Sequence, residues 1–285
     1  MGTIIGMINE KGGVGKTSGV ITMSEILGLA GYKVLLVDLD PQRNASTVYK
    51  KEEDQNKYPS VEEYHALFAG SMSRDEILSL VCESEYENVS IIPGSEYLKE
   101  LLYFIRNENE KTSGAIRPKF KNNISLIKND YDYIIIDNSP FDSETSRCAL
   151  CASDYVLTPS NLDGFSFDGI VGLTKTIHSI NSRYGTNVSY KGIYFTRAQM
   201  NTVLYRQLDE EYGDFFKEIF IPISIRHSTA VSEANTVYLP LVTYAKHCPV
   251  VTDYVHLLQA LNLMDLKHIK QFNKKVYGEK KKYEF

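Results

Sequence analysis

The stretch Asn9-Glu10-Lys11-Gly12-Gly13-Val14-Gly15-Lys16-Thr17-Ser18 decides how this chain is read. It fits the phosphate-loop pattern Gly-x-x-x-x-Gly-Lys-Ser/Thr only loosely, with Gly12 and Gly13 ahead of Val14, Gly15, Lys16 and Thr17 and an additional lysine, Lys11, at the entrance. The apolar run Ile4-Ile5-Gly6-Met7-Ile8 before it reads as a buried strand, and Val20, Met23, Ile26, Leu27 and Ala30 after it fall at helical spacing. Strand, glycine loop and helix in that order give the pattern its meaning. The glycines let backbone amides approach a phosphate, and the helix N-terminus adds partial positive charge. Lys16 is then expected to reach the β/γ oxygens and the Thr17 hydroxyl to bind magnesium. A bland glycine turn with two surface lysines has no need of the whole arrangement.

Outward from the loop, apolar runs alternate with helical patterns, as in an α/β chain with a parallel sheet covered on both faces. Candidate strands are 3–8, 33–38, 89–92, 133–137, 155–158, 191–196 and 219–221, and Val34-Leu35-Leu36-Val37 has the continuous hydrophobicity of a strand buried on both sides. Gly31, between the first helix and the second strand, is expected to be the C-cap of that helix. The segments 50–59 and 107–121 read as polar loop or solvated helix end. The expected architecture is a doubly wound, mostly parallel P-loop NTPase sheet with helices on both faces. Its domain spans 1–262, followed by a basic C-terminal helix and tail at 263–285.

The 285 residues, 43% hydrophobic and 24% charged, suffice for one sizeable core, and a net charge of −5 argues against general affinity for nucleic acid. No long apolar run lies near either end, so neither a signal peptide nor a membrane span is expected. The first strand begins almost at the initiator methionine, which leaves no room for an N-terminal regulatory or DNA-reading domain. Four cysteines are too few for a disulfide scaffold and fit a reducing cytoplasm.

Hydrolysis needs more than a phosphate loop, and two strand ends supply carboxylates. One is Leu36-Val37-Asp38-Leu39-Asp40-Pro41-Gln42; the other is Tyr133-Ile134-Ile135-Ile136-Asp137-Asn138-Ser139-Pro140. Ligands in open α/β sheets bind at the carboxyl ends of strands, so both should converge on the loop. Asp137 has the placement of a Walker-B carboxylate holding magnesium; Asp40 is a candidate to orient the attacking water, and Asp38 to support the metal or the loop.

Lys-Gly-Gly-Val-Gly-Lys-Thr at 11–17, Asp-Leu-Asp-Pro-Gln-x-Asn at 38–44 and Ile-Ile-Ile-Asp-x-x-Pro at 134–140 together resemble the deviant-Walker ParA/MinD family of ATPases. Ile91-Ile92-Pro93-Gly94-Ser95, Leu157-Thr158-Pro159-Ser160, the following 165–169, Ile221-Pro222 and Val231-Ser232-Glu233-Ala234 agree in order, so the likeness runs roughly from 1 to 261. The resemblance implies an ATP- and Mg2+-dependent hydrolase that is slow and partner-stimulated. Gly12, Gly13, Val14, Gly15, Lys16, Thr17 and Ser18 would bind the nucleotide, with Pro222 near the adenine. Thr17, Asp38 and Asp137 would hold the metal, and Lys11, Lys16, Asp40 and Asp137 would carry catalysis. Lys11 is implied to reach across an ATP-sandwich homodimer to the partner's phosphates. In the ParA/Soj-type partition branch, which the full Asp-Leu-Asp-Pro-Gln motif favours, the implied partners are a ParB-like activator and nonspecific double-stranded DNA. The location would be cytoplasmic, on the nucleoid in the ATP state. In that branch Arg226 is a tentative match to a DNA-binding arginine.

The tail leaves the branch open. Leu263, Leu266, Ile269, Phe272 and Val276 recur at three- and four-residue spacing, with Lys267, Lys270, Lys274 and Lys275 mostly off that stripe and more lysines at 280–282. A basic helix of this kind can contact DNA phosphates, can lie on a membrane as in MinD-like positioning ATPases, or can simply be solvated. DNA is the reading favoured over membrane. Cys148-Ala149-Leu150-Cys151 is considered as a cluster site and read as small apolar packing instead.

Overall fold

Residues 34–39 are buried at every position, the four apolar residues Val34–Val37 and also Asp38 and Leu39, and they form a central strand of a seven-stranded sheet. The protein, seen in a computed structural model, is described for residues 2–50, 58–112, 117–139, 143–161, 166–200 and 202–278. Pro140, Phe165 and the lysines at 280–282 lie outside these, as does most of the segment 50–59.

The strands are β1 (Thr3–Met7), β2 (Val34–Leu39), β3 (Cys82–Glu83), β4 (Val89–Ile92), β5 (Tyr133–Asn138), β6 (Tyr155–Asn161) and β7 (Ser189–Thr196), in the spatial order β3-β4-β2-β5-β1-β6-β7. All neighbours pair parallel except β3 with β4. The helices are α1 (Lys16–Leu29), α2 (Asn44–Tyr49), α3 (Val61–Ala69), α4 (Arg74–Ser79), α5 (Leu98–Lys111), α6 (Arg117–Ser125), α7 (Glu144–Ala152), α8 (Ser166–Tyr184), α9 (Val203–Phe215), α10 (Thr229–Thr236), α11 (Leu241–Ala245), α12 (Pro249–Ala260) and α13 (Leu266–Tyr277). Two large apolar clusters form the core. One joins α1, α12 and α13 with inward residues of β1 and β2; the other joins α3, α5, α6 and α7 with the alternate residues of β2 and β5.

The structure differs from the sequence expectations at two segments and adds one strand. The segment 219–221 forms an isolated bridge rather than a strand: Ile193 N–H donates to the Ile219 carbonyl at 2.7 Å and Ile221 N–H to the Ile193 carbonyl at 2.8 Å, and the ladder is then interrupted. Ile223 N–H turns back to the Ile221 carbonyl (2.7 Å) instead of continuing the pairing, which resumes at Ile225, whose N–H donates to the Phe195 carbonyl (2.8 Å). The two-residue β3 has no periodicity to announce it and exists by pairing with β4. Of the segment 107–121, residues to Lys111 and from Arg117 are helical, because Leu101 and Ile105 on α5 and Phe120 and Ile124 on α6 bury into the core.

The C-terminal stripe is mostly taken up internally. Ile269 and Phe272 of α13 are each 1% exposed within the cluster containing α1, whereas Leu266 is 61% exposed. No helix among the described residues is long and apolar enough to cross a membrane.

A buried carboxylate fastens the phosphate-loop helix to the C-terminal helices. Glu25, halfway along α1, accepts from Val242 N–H (2.6 Å), Thr243 N–H (2.7 Å) and the Thr243 hydroxyl (2.7 Å) at the start of α11. Burial pushes its carboxyl from 4.5 up to about 7, while the three donors pull the other way. Between those values the native state keeps a proton that the unfolded chain has lost, so this group's contribution falls as pH rises. It is fully present below about 4.5 and lost above about 7. We expect stability to drop by roughly 1 kcal/mol between pH 6 and pH 8 from this group alone. Denaturant unfolding at both pH values checks it, and Glu25→Gln should flatten the slope.

Candidate functional site

Parallel pairing in register brings the acidic strand ends together. Asp38 on β2 lies opposite Asp137 on β5, and Asp137 opposite Met7 at the end of β1, from which the phosphate loop departs. The loop turns through Gly13 (φ 73°) and Gly15 (φ 88°), both in the left-handed region that favours glycine, so the chain can enter α1 at Lys16.

Lys16 is 7% exposed, and its Nζ donates to the Lys11 carbonyl (2.7 Å) and the Asn9 carbonyl (3.2 Å). Burial lowers its pKa, opposed by the charges of Asp137 and then Asp40. Lys16, Asp40 and Asp137 thus share one electrostatic neighbourhood. Lys11 sits half-buried at the loop's entrance, its N–H held by the Asn9 side-chain oxygen at 2.9 Å.

Asp137 is fully buried, and among the described residues neither carboxylate oxygen has a hydrogen-bond partner. Its pKa is well above the usual carboxylate range, chiefly from burial and then from the Asp38 charge. The Thr17 hydroxyl is near enough to favour the ionised form but not in bonding geometry, and Lys16 also favours it. A buried carboxylate without partners costs several kcal/mol unless a cation meets it. Two orphaned oxygens beside a threonine hydroxyl fit Mg2+, a hard ion that takes oxygen ligands.

Asp38 differs. Its Oδ1 accepts from Asp40 N–H (3.0 Å), and its Oδ2 from Ser46 N–H (2.9 Å) and the Ser46 hydroxyl (2.6 Å). Burial still raises its carboxyl to about 6, against those donors. The side chain is occupied in organising its own loop, a setting unlike the direct metal contact expected of it. Asp40 is half-buried, with Oδ1 accepting from Gln42 N–H at 3.0 Å.

Beside the loop opens a cavity of about 240 Å3 walled by Gly15, Ser18, Thr196, Arg226, Ser228 and Asn235, among others. Pro222 is exposed and does not line it. Arg226 does, but its guanidinium forms a bidentate pair with buried Asp253 (Nη2–Oδ1 2.7 Å, Nε–Oδ2 2.8 Å), which also takes the Arg226 N–H. Arg226 is thus both tied to Asp253 and exposed at the cavity rim. Lys267, Lys270, Lys274 and Lys275 are all exposed along α13, with Lys275 paired to Glu87.

Several supporting side chains escape sequence reasoning. Asn9 donates to the Pro159 carbonyl (2.8 Å), tying the loop to β6; the Thr196 hydroxyl donates to the Val14 carbonyl (2.9 Å) from β7; and Asn235 donates to the Ser18 hydroxyl (3.0 Å) from α10. Only Asn9 carries a signal, by its place within the motif. Cys148 and Cys151 are buried in α7, where burial pushes both thiols up, Cys151 to about 11. No group of three or more His, Cys, Asp or Glu able to hold a metal occurs among the described residues.

A family model described as an AAA domain matches residues 2–190. The sporulation initiation inhibitor protein Soj of Bacillus subtilis is 28% identical over 251 residues, covering 86% of this chain and 92% of that protein. The chromosome-partitioning ATPase Soj of Treponema pallidum is 28% identical over 265 residues, covering 93% and 99%. Among solved structures, the ATP complex of a Cyanothece McdA variant superposes with a TM-score of 0.78 at 17% identity, over 93% of this chain and 98% of the other, which is a likeness of fold.

Proposed function

The chain belongs to the ParA/MinD family of AAA-domain ATPases, and on that premise we propose that it is an ATP-dependent, dimerising switch that partitions DNA. The observation that carries the reading is the meeting of Lys16, Asp40 and the unpaired, buried Asp137 at the carboxyl edge of the sheet. The glycine loop and the N-terminus of α1 bind the phosphates of ATP, and Lys16 exchanges its backbone carbonyl partners for phosphate oxygens. Thr17 and Asp137 would hold Mg2+, which would supply positive charge against that of the phosphates. Asp40 orients the attacking water. The cavity beside Ser18 receives the base end of the nucleotide.

Lys11 acts across a homodimer, meeting the charge that develops on the partner's transferring phosphoryl as an arginine finger would. Turnover is slow until a ParB-like partner stimulates it, because the switch between states is the product. In the ATP state the dimer binds double-stranded DNA without sequence preference, which places it on the nucleoid in the cytoplasm.

With Arg226 engaged by Asp253, the DNA contacts are assigned to α13. Its lysines are exposed while Ile269 and Phe272 are buried, which favours phosphate contact over insertion into a membrane surface. Removing one lysine–phosphate interaction should reduce the slope of log affinity against log salt by about 0.9. Lys267→Glu with Lys270→Glu is therefore expected to weaken binding to random duplex DNA and flatten its salt dependence, with ATP hydrolysis in the absence of DNA unchanged. An unaltered slope would remove α13 from the interface.

A further inference from the structure

We propose that Ser46, braced by Gly94, is a positioning residue for hydrolysis, setting where Asp40 stands relative to the phosphate loop. Ser46 lies in the first turn of α2 and is 1% exposed. Its hydroxyl does two jobs at once. It donates to Asp38 Oδ2 at 2.6 Å and accepts the Gly94 N–H at 2.8 Å, while the Ser46 N–H donates to the same Oδ2 at 2.9 Å. Asp38 in turn holds the Asp40 N–H at 3.0 Å through its other oxygen. A hydrogen-bonded path therefore runs from Gly94 through Ser46 and Asp38 to the backbone of Asp40.

The brace is also steric. A Cβ at Gly94 would sit 3.0 Å from the carbonyl oxygens of both Asp38 and Asp40 and 3.1 Å from Asp38 Cγ, so the segment after β4 lies directly against the turn that carries Asp40. That segment is itself anchored, because the buried Tyr64 hydroxyl on α3 donates to the Pro93 carbonyl at 2.6 Å. Neither Ser46 nor Gly94 is expected to touch nucleotide, yet both fix the Asp40 turn from beneath. Supporting groups of this kind typically cost 10- to 100-fold when removed, since small displacements of a reacting geometry are amplified in rate.

The inference rests on the ATPase reading. It is tested by steady-state ATP hydrolysis and equilibrium ATP binding on the full chain carrying Ser46→Ala, Gly94→Ala or both, with thermal unfolding alongside. Thr47→Ala is the control, since that exposed neighbour's hydroxyl bonds only locally to the Arg43 carbonyl. We expect each single variant to lower kcat by about 10- to 100-fold while ATP affinity stays within about 3-fold. The double variant should be no worse than the poorer single one, because both act on one turn. Thr47→Ala should hydrolyse normally.

Wild-type kcat in either single variant would overturn the proposal. So would a matching loss of ATP affinity, a multiplicative double variant, or failure of both singles to fold, each of which would put the network in general stability. Should the unsubstituted chain fail to hydrolyse ATP, the ATPase reading itself falls; should it hydrolyse ATP and the variants equally so, only this inference falls.

Discussion

Lys11→Ala should lose ATP-dependent dimerisation and ATP hydrolysis together, with turnover expected to fall by about 10³-fold or more. Within one subunit the phosphate loop has a lysine for its own nucleotide, because Lys16 is buried among the loop carbonyls and feels Asp137 and Asp40. Lys11 lies half-buried at the loop's entrance, with its backbone N–H held by Asn9. A second lysine in the same loop is explained if it serves the nucleotide of the neighbouring subunit. ATP affinity of the isolated chain should then change little. Light scattering with ATP and with ADP, beside a turnover assay, separates the possibilities. A Lys11→Ala chain that still dimerises on ATP would show that its role is not in trans.

Asp40→Ala has the opposite signature. Hydrolysis should fall by about 10²- to 10⁴-fold, the range for losing a positioned acid–base group, while the ATP-bound dimer survives. Asp40 is half-buried at the loop edge and is not among the groups that fit the metal, whereas Asp137 offers two buried, unpaired oxygens to it. Removing Asp40 leaves that cation site and the glycine loop in place. Single-turnover hydrolysis and light scattering on the same sample provide the check; loss of ATP binding would assign Asp40 to the binding site instead.

Much of the fold is legible because it is written in contiguous residues. The runs ending at Asp38 and Asp137 are apolar throughout, and parallel pairing of such strands places their carboxyl ends side by side. The phosphate loop is legible for a similar reason, since its glycines, lysines and threonine are consecutive. What stays hidden depends on residues distant in sequence. Ser46 meets Gly94 across 48 positions, Asn235 meets Ser18 across 217, and Glu25 meets Thr243 across 218. No local period encodes such pairs.

Arg226 illustrates the same limit, because its charge is visible in the sequence and Asp253, which engages it, is not visible as a partner. The apolar stripe of α13 is plain from its spacing, yet only tertiary packing decides that Ile269 and Phe272 face the core while Leu266 faces out.

The measurement that bears most directly on an ATP-gated DNA switch is the binding of Asp40→Ala, trapped with ATP, to random duplex DNA across a salt series. Such a switch should bind tightly and without sequence preference with ATP and not with ADP, and log affinity should fall linearly with log salt, as phosphate contacts require. No binding with ATP even at low salt, under conditions where the dimer forms, would contradict it.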